Sequence, residues 1–116
     1  MHTKKSEIEL FFDIMLFVVG LVFISFFYMN NILLTVLLLL LLVFVLKFWY
    51  KKQDIYFFVF GAIIGLIAEV VAVHFGAWQY TNPSILRVPI WLPIAWGFVV
   101  VLIKRITEIF VEIRSK

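Results

Sequence analysis

One carboxylate stands alone in an apolar stretch of the sequence. Glu69 lies in residues 55–76, which hold no other Asp, Glu, Lys or Arg. Placing a charged carboxylate near the middle of a bilayer costs about 3 kcal/mol on insertion scales. Because burial disfavours the charged form, we expect Glu69 to be neutral and able to donate a proton. Glu69 is therefore the predicted catalytic residue.

Aromatic and basic side chains follow Glu69 within thirty residues of chain. They are His74, Trp78, Tyr80, Arg87, Trp91 and Trp96. An acid surrounded by indole rings is suited to protonating a carbon–carbon double bond, because aromatic faces stabilise the carbocation that forms. We predict that these six residues bind the substrate, and that the substrate is apolar.

Several other chemistries are disfavoured by the residue types present. The chain has no cysteine, which excludes thiolate catalysis and zinc–thiolate or iron–sulfur sites. A single Glu and a single His on different helix faces make no ligand set, so no metal is predicted. The sequence has no phosphate-binding glycine loop and no base suitably spaced from a serine or threonine. No cofactor is predicted.

The composition decides which elements carry these side chains. Of the 116 residues, 66% are hydrophobic, against the usual 45–50%. A soluble domain this small has too little interior for such an excess, so the predicted fold class is an all-α integral membrane protein. Apolar runs predict a single domain, residues 1–116, with four transmembrane helices at about 10–28, 32–50, 55–76 and 89–112. The polar end of the fourth is predicted to continue as an amphipathic helix along the cytoplasmic interface.

The basic residues predict the orientation of the helices. Of the ten Lys and Arg residues, only Arg87 falls on one side of the four-span arrangement. The other nine are Lys4, Lys5, Lys47, Lys51, Lys52, Lys104, Arg105, Arg114 and Lys116. This imbalance predicts a multi-pass protein of the plasma membrane with both termini in the cytoplasm. Topology accounts for the positive charge, so no nucleic-acid partner is predicted.

Small residues and prolines predict how the helices pack. Gly61 and Gly65 share a face of the third helix with Glu69, and small residues at this spacing let two helices approach closely. Pro89 suits the first turn of the fourth helix, and Pro93 is expected to kink it by removing a backbone donor. Asp13 lies near the cytoplasmic boundary, where we expect it to reach headgroup water or a lysine.

Residues 61–97 resemble a known family of membrane enzymes. Ala68-Glu69, the stretch 76–81 (GAWQYT) and the stretch 88–96 (VPIWLPIAW) are similar to the pattern of the carotenoid 1,2-hydratases and, more loosely, of the heterodimeric lycopene cyclases. The shared features are a Glu in mid-helix, a Gly-aromatic-x-Tyr segment, and Val-Pro followed by Pro-x-x-Trp. The hydratases are at least about twice as long as this chain. The cyclases carry an acidic pair where Trp91 and Leu92 stand.

The resemblance implies roles for individual residues. It makes Glu69 the proton donor or the acid that binds a polyene, with Trp78, Tyr80 and Trp96 lining the pocket. It also implies that so short a chain completes its pocket with a second copy or a second membrane subunit, through the Gly61/Gly65 face.

Three functions remain open from the sequence. The first is an enzyme, or half of one, that protonates a polyene or isoprenoid lipid. The second is a membrane module that binds lipid or pigment without turnover. The third is a small oligomeric transporter or channel that uses Glu69 as a proton or cation site.

Overall fold

Four helices make up most of the chain. The computed structural model describes residues 4–114, without the side chains of Lys4 and Ile113. Helix α1 spans Lys4–Phe27, α2 spans Asn31–Phe48, α3 spans Lys52–His74 and α4 spans Leu92–Arg114. No strand occurs in residues 4–114 beyond one isolated bridge between Ile85 and Val88. The all-helical architecture predicted from the sequence is confirmed.

Helix ends depart from the predicted ones where polar residues continue a helix past its apolar run. Helix α1 begins at Lys4 rather than near residue 10, with Glu7 in its first turn near the positive end of the helix dipole. Asn30 caps α2 by accepting a hydrogen bond from the Leu33 amide at 3.0 Å. Asp54 likewise accepts from the Lys51 amide at 2.8 Å at the start of α3. Hydropathy marks the apolar core of a helix, whereas caps mark its ends.

The fourth helix starts later than predicted and has a different first turn. Residues 90–91 form a turn, and the Leu92 amide donates to the Pro89 carbonyl at 3.1 Å. Pro93 is therefore the second residue of α4, where a missing backbone donor costs nothing. The expected kink at Pro93 is wrong for this reason. The polar residues 104–114 continue α4 without a break.

Helix α4 is the centre of the bundle, because it packs against α1, α2 and α3. Its closest neighbour is α3, and glycines allow that approach. A Cβ on Gly65 would lie 2.7 Å from the Cβ of Trp96, and one on Gly61 would lie 2.6 Å from the Cβ of Val100. The Gly61/Gly65 face is thus covered by α4 of the same chain. The expectation that a second copy or a second membrane subunit completes the pocket stays a prediction.

Three of the helices are long and apolar enough to cross a membrane: Lys5–Phe27, Asn31–Phe48 and Lys52–His74. Their outer surfaces carry large apolar side chains, such as Phe26, which is 77% exposed, as expected of surfaces that face lipid. Helix α4 does not belong to this set, because its apolar part ends at Lys104. Residues 92–103 extend only about 18 Å at the helical rise, short of the roughly 30 Å hydrocarbon core.

Candidate functional site

The Glu69 side chain is buried at the end of the bundle that carries the loop of residues 75–91. Its relative exposure is 8%. Oxygen Oε2 accepts hydrogen bonds from Trp78 Nε1 at 3.0 Å and from the Tyr80 hydroxyl at 2.5 Å. Oxygen Oε1 accepts from Trp96 Nε1 at 3.2 Å. We call Glu69, Trp78, Tyr80 and Trp96 the acid site.

Two of these partners reach Glu69 because the chain reverses at the end of α3. Gly76 adopts a φ of +82°, which favours glycine. The Gly76 amide donates to Val73 O and the Ala77 amide to Ala72 O, the paired bonds of a Schellman motif. This turn sends residues 78–80 back toward the helix that they follow. In the sequence, this reversal is indicated by a glycine, Gly76, at the end of an apolar run.

The third partner comes from α4 and depends on a glycine in α3. The Trp96 indole lies directly on the α3 backbone at Gly65, where any Cβ would overlap it. Gly65 is one helical turn before Glu69, so an indole seated there reaches the carboxylate. Trp96 lies seven residues after Pro89 and Glu69 seven residues before Gly76, so helical rise places both at about one depth, as this hydrogen bond requires.

Hydrogen-bond donors, rather than cations, surround the carboxylate. An indole N–H can only donate, so both carboxylate oxygens act as acceptors. No described Lys, Arg or His, Arg87 included, lies within ion-pair distance of Glu69. Burial, followed by the hydrogen bond to Glu69, raises the pKa of the Tyr80 phenol. Tyr80 therefore keeps its proton at neutral pH.

The remaining predicted substrate-binding residues lie away from the carboxylate. His74 is exposed and its Nδ1 pairs with Val70 O at 2.9 Å. Arg87 is exposed and forms no hydrogen bond or ion pair with any described residue. Trp91 is buried in the apolar core, where its Nε1 donates to Asn31 Oδ1 at 3.1 Å. The structure thus gives Trp91 a packing role and does not bring it to the acid site.

Asparagines tie the loop of residues 75–91 to the turn between α1 and α2. Asn82 Nδ2 donates to Met29 O at 2.8 Å. Asn31 Nδ2 donates to Asn82 O at 2.9 Å and to Ser84 Oγ at 2.6 Å. In each of these bonds the two residues are more than fifty positions apart in sequence. These bonds fix the path of the loop, and with it the position of Tyr80.

Two of the grooves that border the acid site lie on different sides of it. The loop groove, of about 530 Å³, is lined by Val73, His74, Gly76, Trp78, Gln79, Tyr80, Pro83 and Arg87. The apolar groove, of about 480 Å³, runs between α3 and α4 and is lined by Tyr56, Phe57, Phe60, Gly61, Ile64, Gly65, Trp96 and Val100. Trp96 separates the apolar groove from Glu69, whereas Trp78 and Tyr80 separate the loop groove from it.

A second buried polar cluster lies at the opposite end of the bundle, near both termini. Arg105 Nε donates to Asp13 Oδ1 at 2.9 Å, and Arg105 NH1 donates to Asp54 Oδ2 at 3.0 Å. Lys104 Nζ pairs with Asp54 Oδ1 at 2.5 Å, and Trp49 Nε1 donates to Asp13 Oδ1 at 3.0 Å. We call Asp13, Asp54, Lys104 and Arg105 the ion cluster.

The ion cluster corrects two interpretations of the sequence. Asp13 is 1% exposed and Asp54 is fully buried, so Asp13 does not reach headgroup water. Lys104 and Arg105 join α4 to α1 and α3 rather than only marking a membrane side. Lys116, which the count of basic residues included, lies outside the described residues. In the sequence, this cluster is indicated by two acids, Asp13 and Asp54, and two bases, Lys104 and Arg105, which lie at the same end of the predicted helices.

The residues that the structure describes do not include a group of three or more His, Cys, Asp or Glu side chains that could hold a metal ion. The fold makes this chain a small helical bundle with three helices that are long and apolar enough to span a membrane. Comparison of the chain with known families, with curated proteins and with solved structures finds no match.

Proposed function

We propose that this protein is a four-span membrane protein that binds a polyene or isoprenoid lipid and acts on it by protonation, with Glu69 as the acid. The observation that carries the proposal is the convergence of Trp78, Tyr80 and Trp96 on one buried carboxyl group. Those are the residues for which the resemblance to carotenoid hydratases implies a role. The indole rings of Trp78 and Trp96 also offer faces that stabilise a cation near the proton donor.

The apolar groove supports a long hydrocarbon ligand. Its lining contains aromatic and aliphatic side chains and two glycines, which suits an apolar chain and offers no polar group in its middle. From Tyr56 to Gly65 the groove extends about 13 Å along α3 at the helical rise. The groove ends at Trp96, the indole that also holds Glu69. In the proposal, a polyene lies along this groove with one end at Trp96.

Substrate reaches the carboxyl group by displacing a side chain of the acid site. Trp96 is the candidate, because its indole separates the apolar groove from Glu69. Its movement frees Oε1 of Glu69, leaves Oε2 with Trp78 and Tyr80, and opens a position for a double bond. The neutral acid then gives its proton to carbon, and the indole face of Trp96 stabilises the cation that results.

The proposal includes α4 as a fourth span, with both termini in the cytoplasm. Lys104 and Arg105 make α4 less apolar than the other three helices, yet both are paired with buried aspartates. A paired charge is far cheaper to bury than a free one, which lengthens the part of α4 that a bilayer tolerates. The predominance of basic residues near the termini supports the cytoplasmic side for that end.

Pigment analysis in a lycopene-producing bacterial host tests the function. We expect the wild-type chain to convert part of the lycopene to a hydrated or cyclised product, and the Glu69→Gln variant to convert none. Glu9→Gln is the matched control, since it makes the same chemical change in α1, far from the acid site, and is expected to convert lycopene as the wild type does. Unchanged pigment with well-expressed wild-type protein would refute catalysis on this substrate.

A non-catalytic module that binds lipid or pigment is the second candidate function. It is favoured by the fully engaged carboxylate, whose two oxygens accept three hydrogen bonds. This function predicts a co-purifying polyene or isoprenoid lipid, detected by mass spectrometry, with no product. Trp96→Ala is expected to lose the ligand, and Glu69→Gln is expected to retain most of it.

A further inference from the structure

The three hydrogen-bond partners of Glu69 differ in what they can do with a proton. Trp78 and Trp96 present indole N–H groups, which donate and cannot accept. The Tyr80 hydroxyl can do both, and its oxygen lies 2.5 Å from Glu69 Oε2. When Glu69 is protonated, Tyr80 is therefore the one partner in the acid site that can accept the carboxyl hydrogen.

We infer that the Tyr80 hydroxyl is the route by which protons pass between Glu69 and water in the loop groove. Tyr80 contacts Glu69 on one side and lines the loop groove on the other. The purpose of the route rests on the proposed function, since an acid that protonates substrate has to regain its proton after each turnover. The route itself is a property of the hydrogen bonds.

The transfer is balanced and leaves Tyr80 unchanged. A hydronium ion in the loop groove gives a proton to Tyr80 Oη while the existing Tyr80 Oη–H bond breaks and its proton moves to Glu69 Oε2. The carboxylate becomes the acid, the hydronium ion becomes water, and the phenol is restored. The reverse sequence discharges the acid. No oxidant, reductant or further reactant takes part.

The other approaches to Glu69 offer no competing route among the described residues. From α4 the facing group is Trp96, which does not titrate. Behind it lies the apolar groove, where the hydroxyl of Tyr56 is at the far end, about 20 Å from Glu69 along α3. On the loop side, His74 and Arg87 line the loop groove but form no hydrogen bond with Glu69. Both lie beyond Tyr80 and Trp78.

Infrared spectroscopy of the full chain in lipid nanodiscs tests the route. A rapid drop in pH is followed at the carbonyl band of a protonated carboxyl group, and the part of that band absent in Glu69→Gln belongs to Glu69. We expect Tyr80→Phe to slow the appearance of this band by about 100-fold, the lower end of what a positioned proton-transfer group contributes.

Two variants show whether the effect belongs to the Tyr80 hydroxyl. Trp78→Phe removes another hydrogen bond to Oε2 but no relay, so we expect it to slow the band much less than Tyr80→Phe does. Tyr50→Phe makes the same change as Tyr80→Phe at the opposite end of the bundle, beside Arg105, and we expect the wild-type rate. Equal slowing in Trp78→Phe and Tyr80→Phe would overturn the inference, because a general loosening of the acid site would then explain both.

Three further outcomes of the infrared and pigment experiments test the proton route through Tyr80. A Glu69 band that forms at the wild-type rate in Tyr80→Phe would overturn the relay. Absence of any Glu69 band at every pH would overturn it too, since the carboxyl group would then never take up a proton. A slowed band together with unchanged pigment in the lycopene-producing host would support the relay and refute the proposed reaction, so the two failures are distinguishable.

Discussion

The contact between Gly65 and Trp96 makes the strongest prediction about how the acid site is built. In the Gly65→Ala variant the new Cβ would lie 2.2 Å from Trp96 Cγ and 2.4 Å from Cδ2. Ordinary carbon–carbon contacts begin near 3.4 Å, so the indole has to move by about 1 Å. Because the atoms concerned belong to the base of the ring system, a side-chain rotation alone does not relieve the overlap.

The magnitude follows from three contributions. Overpacking of this kind costs about 1–3 kcal/mol. Moving the indole also breaks its hydrogen bond to Glu69 Oε1, which contributes about 1 kcal/mol. Replacing glycine by alanine inside a helix recovers up to about 1 kcal/mol. We expect Gly65→Ala to lower the free energy of unfolding by about 1–3 kcal/mol.

Gly20→Ala is the matched control, because a Cβ on Gly20 in α1 would meet nothing within 4 Å. Only the gain in helix propensity from glycine to alanine remains. We therefore expect the stability of this variant to be unchanged or up to about 1 kcal/mol higher. Reversible unfolding in mixed detergent micelles, followed by circular dichroism, measures both variants against the wild type. Equal stability of Gly65→Ala and Gly20→Ala would refute the close contact of Trp96 with α3.

Two further predictions concern the ion cluster and the loop. Arg105→Ala removes the bridge between two buried carboxylates, and we expect a loss of about 3–5 kcal/mol in unfolding free energy. Arg114→Ala, at an exposed position of the same helix, is expected to change it by less than about 0.5 kcal/mol; similar losses in both would contradict the role of the cluster. Asn31→Ala removes three side-chain hydrogen bonds, including the one from Trp91, so we expect trypsin to cleave faster after Arg87 in the loop. An unchanged cleavage rate, read by mass spectrometry, would show that Asn31 does not hold the loop in place.

The local features of the fold were predictable from the sequence. Each apolar run corresponds to a helix, because about 20 apolar residues have few other stable arrangements in a bilayer. Glu69 stood out because a carboxyl group in such a run is costly wherever the helix is placed. The positions of Trp78, Tyr80 and Trp96 relative to Glu69 were also partly predictable, since helical rise alone puts Glu69 and Trp96 at one depth.

The errors arose where two distant segments had to meet. The pairing of Asp13 with Arg105 joins residues 92 positions apart, and no local pattern specifies it. Trp91 was predicted together with Trp96 to bind the substrate, yet it lies in the turn before α4 and donates to Asn31, so only Trp96 of the two reaches Glu69. The rotation of a helix about its axis decides such choices.

The sequence by itself determined that this chain has helices long and apolar enough to cross a membrane, that Glu69 is costly to bury, and that nine of the ten basic residues lie outside the loop of residues 75–91. Hydropathy, charge and spacing are local properties, because each segment of the chain has them independently of the others. The tertiary structure decided which donors reach Glu69, that α4 covers the Gly61/Gly65 face, and that buried ion pairs hold the other end of the bundle. Those outcomes depend on helix rotation and on the path of one loop, which are fixed by packing between distant residues.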